Sequence, residues 1–255
     1  MMESPPPLVS IIIPVKDESE TILSLAEEIS SALAPHGWGW ECVWVDDGSQ
    51  DATLPQLRSL HTRDPRHAYV SFERNHGQTA AMLAGWRTAR GQILATMDGD
   101  GQNNPADLPA MIERILANQA DMVNGVRVLR HDDWKRKLSS RIGNGFRNWL
   151  TRDQVTDVGC SIRAFRRECV ALFPPFEGLH RFLPTVVRMQ GWKIIEVPVR
   201  HRPRLKGTTK YGIHNRLWKG LLDAFAVRWM QWRQIRYRVT EQAGIAQEDA
   251  MTWER

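Results

Sequence analysis

The amino-acid sequence predicts an α/β fold, a doubly wound and mostly parallel sheet flanked by helices. Two observations carry this. Short β-branched apolar runs alternate with amphipathic stretches at least four times within the first 120 residues, the pattern of repeated βαβ units. Several of those runs pass directly into acidic turns, and the carboxyl ends of strands are where open parallel sheets bind ligands. A length of 255 residues, 42% hydrophobic and 25% charged, suffices for one large domain with a sizeable core.

Leu8 to Val15 (LVSIIIPV) is a short, continuous, β-branched run, the signature of a parallel strand buried on both faces. A helix should follow, with Asp17 as N-cap, Glu20 three residues on, and Ile22, Leu25, Ile29 and Leu33 on its apolar stripe. Trp40 to Val45 is the next strand and runs into Asp46-Asp47-Gly48-Ser49. Ala68 to Phe72 reads as a strand, Gln78 to Thr88 as a helix of small residues, and Gln92 to Met97 as a strand ending on Asp98. Asn104 then suits an N-cap with Pro105 at the first helical position, opening a helix with Leu108, Met111, Ile112, Ile115 and Leu116 on one side. After about residue 125 the alternation gives way. A basic helix (133–151), a short mixed segment from Asp157 to Arg166, a helix from Leu179 to Gln190 and a strand from Trp192 to Val199 complete the reading.

Charge divides the chain. Residues 1–120 carry 8 Lys and Arg against 16 Asp and Glu, whereas residues 121–255 carry 26 against 13, so the halves differ in sign at −8 and +13. An acidic half that hosts a ligand suggests a cation, and a basic half suggests an anionic partner such as a phosphate or an anionic membrane surface. No nucleic-acid reader motif accompanies the basic half, and the acidic turns would repel a polyanion. Three cysteines, Cys42, Cys160 and Cys169, form no C-x-x-C pair, so neither a disulfide framework nor a zinc site is expected. The residues show no signal-peptide pattern and no run of 18 apolar residues.

Asp98-Gly99-Asp100-Gly101-Gln102 sets two carboxylates two residues apart with an amide oxygen nearby. Hard divalent cations take such ligands, and Mg²⁺ or Mn²⁺ held by one or two carboxylates completes its shell with water and diphosphate oxygens. The twelve-residue spacing of an EF-hand is absent, since Pro109 stands at its final position.

The segments VSIIIPVKDE, VDDGSQDAT, RNHGQTAAMLAG, MDGDGQNNP, DVGCSIRAFRR, HRFLP and HRPRLKGTTKYG, in this order over residues 8–235, resemble family 2 glycosyltransferases of the GT-A fold. The resemblance is to their dolichol-phosphate mannosyltransferase-like branch, which glycosylates polyprenyl phosphates. It implies a nucleotide-sugar donor, GDP- or UDP-linked, with Pro14, Asp17, Glu18, Asp46, Asp47, Gly77 and Asp98 on the donor side. Asp98, Asp100 and Gln102 match metal contacts, and Arg204 with Lys210 matches a basic loop over the diphosphate. Arg127, Arg136, Asp157, Arg163, His180 and Arg181 fall in segments expected at the acceptor phosphate, and Asp100, Arg127, Arg136 and Arg204 form the implied catalytic set. The motif after the first strand usually carries Asn where Lys16-Asp17 stands here. Cys160 is expected as a packed thiol, and His76 and His201 as hydrogen-bonded loop residues. On this reading residues 1–212 are the catalytic domain, with 1–120 the nucleotide-sugar half and 121–212 the acceptor half.

A phosphate monoester has a second pKa near ~6, so at neutral pH it is already a nucleophilic dianion. The expected reaction is therefore in-line displacement at the anomeric carbon with inversion, driven by positioning and charge stabilisation without a protein base. A family 2 enzyme acting on a growing cell-surface glycan, and a nucleotide-sugar-binding scaffold without activity, are the alternatives.

Residues 213–238 are expected to form a basic amphipathic helix, followed by a polar tail over 239–255. Trp218, Leu222, Phe225, Trp229 and Trp232 recur at helical spacing, with Arg216, Lys219 and Asp223 opposite them. A face of this kind suits an anionic bilayer interface or a small membrane protein, which places the chain peripherally on the cytoplasmic face of the cell membrane.

Overall fold

The computed structural model describes residues 5–128, 134–170, 175–203 and 213–235, with side chains except at 134–142 and 213–219. Among the described residues, seven strands form one sheet: β1 (Val9–Val15), β2 (Trp40–Asp46), β3 (His67–Ser71), β4 (Ile93–Thr96), β5 (Met122–Arg127), β6 (Arg163–Arg166) and β7 (Ile194–Val199). Their order is β3-β2-β1-β4-β6-β5-β7. All neighbours are parallel except β6, which runs antiparallel to both β4 and β5. The helices are α1 (Ile22–Leu33), α2 (Thr53–Arg63), α3 (Gln78–Thr88), α4 (Leu108–Leu116), α5 (Trp134–Thr151), α6 (Leu179–Met189) and α7 (Ile213–Arg233).

The apolar runs make strands because both faces of the sheet are covered. Successive residues of a strand point to opposite faces, and β1 shows it: Ile11 and Ile13 pack with α1 and α4 residues such as Leu25, Ile29 and Ile112, whereas Ile12 packs with Met82 and Trp86 of α3 and Leu183 of α6. Each such fully buried side chain contributes roughly 1.5–3 kcal/mol. Gly48 closes the turn after β2 at φ +67, and a Cβ there would lie 2.4 Å from the Arg74 backbone, so only glycine fits this approach.

Four features depart from the sequence reading. Asp17 does not cap α1; it sits at φ +49, and α1 starts behind Thr21 without a side-chain cap. Helix α2 was not anticipated, because it buries only Thr53, Leu57 and Leu60. Strand β5 and the reversal of β6 were also unforeseen. Asn104 does cap as expected, its Oδ1 accepting from the Ala106 N–H of the 3-10 turn Pro105–Asp107.

The reversal of β6 positions the site. Thr96 at the end of β4 pairs with Arg163 at the start of β6, and Asn124 of β5 pairs with the same residue. The first residue of the antiparallel strand therefore lies at the edge where parallel β1 and β4 end. That edge, beside the β1–β4 switch in strand order, is the crevice position of doubly wound sheets.

Helices α5, α6 and α7 pack together over the second face. Arg147 of α5 donates to Asp153 (3.2 Å) and to Thr185 of α6, Arg188 of α6 also pairs with Asp153, and Gln231 of α7 donates to the Thr151 carbonyl. Helix α7 buries Ala224 and Val227 and turns Leu222, Phe225, Trp229 and Trp232 outward, each more than half exposed. Among the described residues, no helix is long and apolar enough to cross a membrane.

Candidate functional site

A cavity of about 210 Å³ opens at this edge, lined among others by Pro14, Gln78, Asp98, Ser161, Arg163, His180 and Arg181. Strand β1 supplies Pro14, the turn after β4 supplies Asp98, and the start of α6 supplies His180 and Arg181. Strands β1 and β4 pair in parallel, so their carboxyl ends share this edge.

On the acidic side, Asp98 and Asp100 stand in one tight turn. Burial, and next the charge of Asp100, push the Asp98 carboxyl up to about 6. Gln78 Nε2 donates to Asp98 Oδ1 (3.0 Å), and Asn103 Oδ1 accepts both the Asp98 N–H (3.0 Å) and the Ser161 hydroxyl (2.9 Å). Among the described residues no third His, Cys, Asp or Glu joins them as a metal set. Two crowded carboxylates without a third protein ligand fit a hard cation that takes the rest of its shell from diphosphate oxygens and water. Gln102 lies beside them, its N–H donating to Asp100 Oδ1 and its Nε2 to the Arg202 carbonyl. The chain leaving β7 runs along this turn: Asn103 bridges His201, the Arg202 N–H donates to the Gln102 carbonyl, and Arg202 also pairs with Glu28.

The donor-side acids belong to a hydrogen-bonded scaffold. Asp46 accepts from the Ser49 N–H and the Ser71 hydroxyl, and Asp47 accepts from the His76 and Gly77 N–H groups just before α3. Asp17 Oδ1 accepts the Gln50 N–H (2.7 Å), its own N–H donates to Ser49 Oγ, and the Glu18 N–H donates to Thr53 Oγ1. Asp51 joins the same turns. Burial would raise its carboxyl, but hydrogen bonds from Thr53 and Ser19 hold it at about 2.

On the basic side, Arg127 and Asp157 form a two-point ion pair. The buried Arg163 donates to Asn124 Oδ1, the His180 carbonyl and the Val158 carbonyl, so its guanidinium ties β5, α6 and the segment before β6 together. Thr79 of α3 accepts the Gly178 N–H and lies 2.8 Å from His180 Nδ1. Arg181 lies 3.4 Å from Asp223 of α7. Cys160 is buried, and burial raises its thiol to about 11, which removes it as a nucleophile. Of the remaining anticipated residues, Arg204 and Lys210 lie outside the described residues, as does the side chain of Arg136.

Sequence reasoning did not single out Gln78, Thr79, Asn103, Asn124, Ser161 or Asp51 as contributors to the site. For all but Asn124 the available signal was their place inside the quoted segments; Asn124, on β5, falls in none of them.

Glycosyl transferase family 2 matches residues 10–172. A dodecaprenyl-phosphate galacturonate synthase of Rhizobium johnstonii is 36% identical over 222 residues, covering 86% of this chain and 65% of that protein. An undecaprenyl-phosphate 4-deoxy-4-formamido-L-arabinose transferase of Edwardsiella ictaluri is 34% identical over 207 residues, covering 80% of this chain and 63% of that protein. The chain thus spans a little under two thirds of the length of these relatives. Among solved structures, a mannosyltransferase of Pyrobaculum calidifontis in complex with GDP-Man and Mn²⁺ superposes with a TM-score of 0.61 at 22% identity, covering 91% of this chain and 66% of that one. Glucosyl-3-phosphoglycerate synthase of Mycobacterium tuberculosis, in complex with Mn²⁺, UDP and glucosyl-3-phosphoglycerate, gives 0.64 at 18% identity, covering 90% of this chain and 81% of that one. At these identities the likeness shows the fold, GT-A.

Proposed function

From the premise that this chain belongs to glycosyl transferase family 2, we propose that it is an inverting, metal-dependent transferase that moves a sugar from a GDP- or UDP-linked donor to a polyprenyl phosphate. The observation that carries the reading is the mixed charge of one cavity, lined by the carboxylate of Asp98 and by the guanidinium residues Arg163 and Arg181. The relatives named above share a polyprenyl phosphate in their names and differ in the sugar, which supports the acceptor class and leaves the sugar to the pocket.

In this reading Asp98 and Asp100, with Gln102 beside them, hold a divalent cation that supplies charge neutralisation for the departing diphosphate. The turns built by Asp17, Asp46, Asp47 and Gly77 form the wall for the nucleoside. Pro14 and Glu18 stand at the end of β1 on the same side. Arg127, fixed by Asp157, and the α6 start at His180 and Arg181 receive the acceptor phosphate. Arg136, Arg204 and Lys210 are assigned by resemblance alone. A phosphate dianion needs no base to attack, and the engagement of Asp157 with Arg127 favours a mechanism without one.

The outward apolar face of α7 favours attachment to an anionic membrane surface at its cytoplasmic side. Exposed Phe146 and Trp149 of the neighbouring α5 add to the apolar surface available there. The test is release of nucleoside diphosphate from a panel of GDP- and UDP-sugars with Mg²⁺ or Mn²⁺, each with and without polyprenyl phosphate. Release that requires both metal and lipid phosphate is expected. Release from a donor with no dependence on the lipid would refute the acceptor class.

A further inference from the structure

Arg181 and Asp223 join the cavity to the outermost helix. Arg181 lines the cavity at the start of α6, and its Nη2 lies 3.4 Å from Oδ2 of Asp223 on α7. Both side chains are largely buried, at 30% and 20% exposure. The Arg181 Nε is buried and has no hydrogen-bond partner among the described residues, which leaves it open to a water or an anion. A glycine makes room for the pair. Gly178, at φ +93, would carry a Cβ 2.5 Å from Asp223 Oδ2 and 3.1 Å from Arg181 Nη2. Any side chain at Gly178 would therefore displace the carboxylate.

The same helix presents Leu222, Phe225, Trp229 and Trp232 to the outside and anchors itself through Ala224 and Val227. Asp223 falls between these two faces, one residue from exposed Leu222 and one from buried Ala224. A guanidinium offers five N–H donors, so an ion pair with one carboxylate leaves others for an incoming anion.

We propose that Asp223 is a positioning residue which holds Arg181 toward the acceptor phosphate, so that α7 completes the acceptor end of the cavity as well as forming the exposed face. This rests on the polyprenyl phosphate reading above. The role is indirect: Asp223 acts through Arg181 and touches no substrate.

The test is calorimetric titration of the full chain with a short-chain polyprenyl phosphate in the presence of Mg²⁺, and separately with GDP and with UDP. Wild type, Asp223→Asn, Arg181→Gln, the double variant and Asp223→Glu are compared. Each of the first two variants should weaken lipid phosphate binding about tenfold, as loss of a charged hydrogen-bond partner does. The double variant should be no weaker than Arg181→Gln, Asp223→Glu should recover most of the loss, and nucleotide binding should change less than about twofold in all of them, well under the cost of one such bond. Additive losses in the double variant, or equal weakening of nucleotide and lipid phosphate, would overturn the positioning role. Tight lipid phosphate binding by wild type and variants alike would overturn this inference alone, whereas a wild type that binds nucleotide but no lipid phosphate would overturn the acceptor reading with it.

Discussion

Arg127 meets Asp157 fork to fork, with Nε 2.7 Å from Oδ2 and Nη2 2.8 Å from Oδ1. The Arg127 N–H reaches the same carboxylate at 3.3 Å, so Asp157 clamps the residue through both backbone and side chain. A carboxylate engaged in this way orients a phosphate-binding guanidinium. It is poorly placed to abstract a proton.

Replacing Asp157 by Asn therefore tests the mechanism. The variant should lose about tenfold in kcat/KM, the scale of one charged hydrogen bond, with the shape of the pH–rate profile unchanged. Disappearance of a pH limb in the variant would restore a protein base to the reaction.

The turn of Asp98 and Asp100 leads to a second expectation. Two carboxylates crowded at a partly buried turn repel one another, and a divalent cation relieves that repulsion. Mg²⁺ or Mn²⁺ should raise the thermal midpoint of the wild type, chelation should reverse the rise, and Asp98→Asn should abolish the response while keeping the fold. A variant that still responds to the metal would place the cation elsewhere.

Stability should also report on His67. Its ring is buried, Trp44 Nε1 donates to its Nδ1 (3.1 Å), and burial, outweighing the nearby Asp64, holds its pKa below the ordinary value of 6.5. The folded state thus takes up a proton less readily than the unfolded chain. Stability from this group is fully present above about pH 6.5 and falls as pH drops below it. Thermal midpoints measured from pH 7.5 down to 5 should show that decline, and His67→Gln should flatten it; an unchanged slope would assign it to other groups.

The exposed face of α7 sets a fourth expectation. Trp229 and Trp232 are 61% and 73% exposed, so replacing both by Glu leaves the core untouched. Each large apolar side chain that enters a bilayer interface contributes roughly 1.5–3 kcal/mol. The double variant should lose sedimentation with anionic phosphatidylglycerol vesicles while its far-ultraviolet spectrum stays unchanged. Retained sedimentation would put membrane contact on another surface.

The elements read most directly from the sequence are those whose physics is local. Val9–Val15 and Trp40–Asp46 are mostly apolar because both faces are covered, their buried Ser10, Glu41 and Asp46 being hydrogen-bonded, and the stripe of α7 emerges from spacing alone. Helix α2 escaped notice because three buried positions in eleven residues make a faint stripe. The reversal of β6 escaped because strand direction depends on partners that lie far away along the chain. At the site, resemblance pointed to Arg163 and His180, and both line the cavity. It did not show that Arg163 donates to three protein acceptors, or that Thr79, from a helix about a hundred residues earlier, holds the His180 ring. Such partners are brought together by tertiary packing and leave no periodic signal. Asp17 has a different cause: its left-handed φ accompanies hydrogen bonds to Ser49 and Gln50, which an N-cap reading of the local sequence does not include.

The most direct measurement is the structure of the lipid product formed from the donor that supports turnover. After extraction, its mass and anomeric coupling constants identify the new bond. The account predicts one sugar joined through its anomeric carbon to the polyprenyl phosphate, with configuration opposite to that in the donor. A retained configuration, or a sugar found only as the free hydrolysis product, would contradict it.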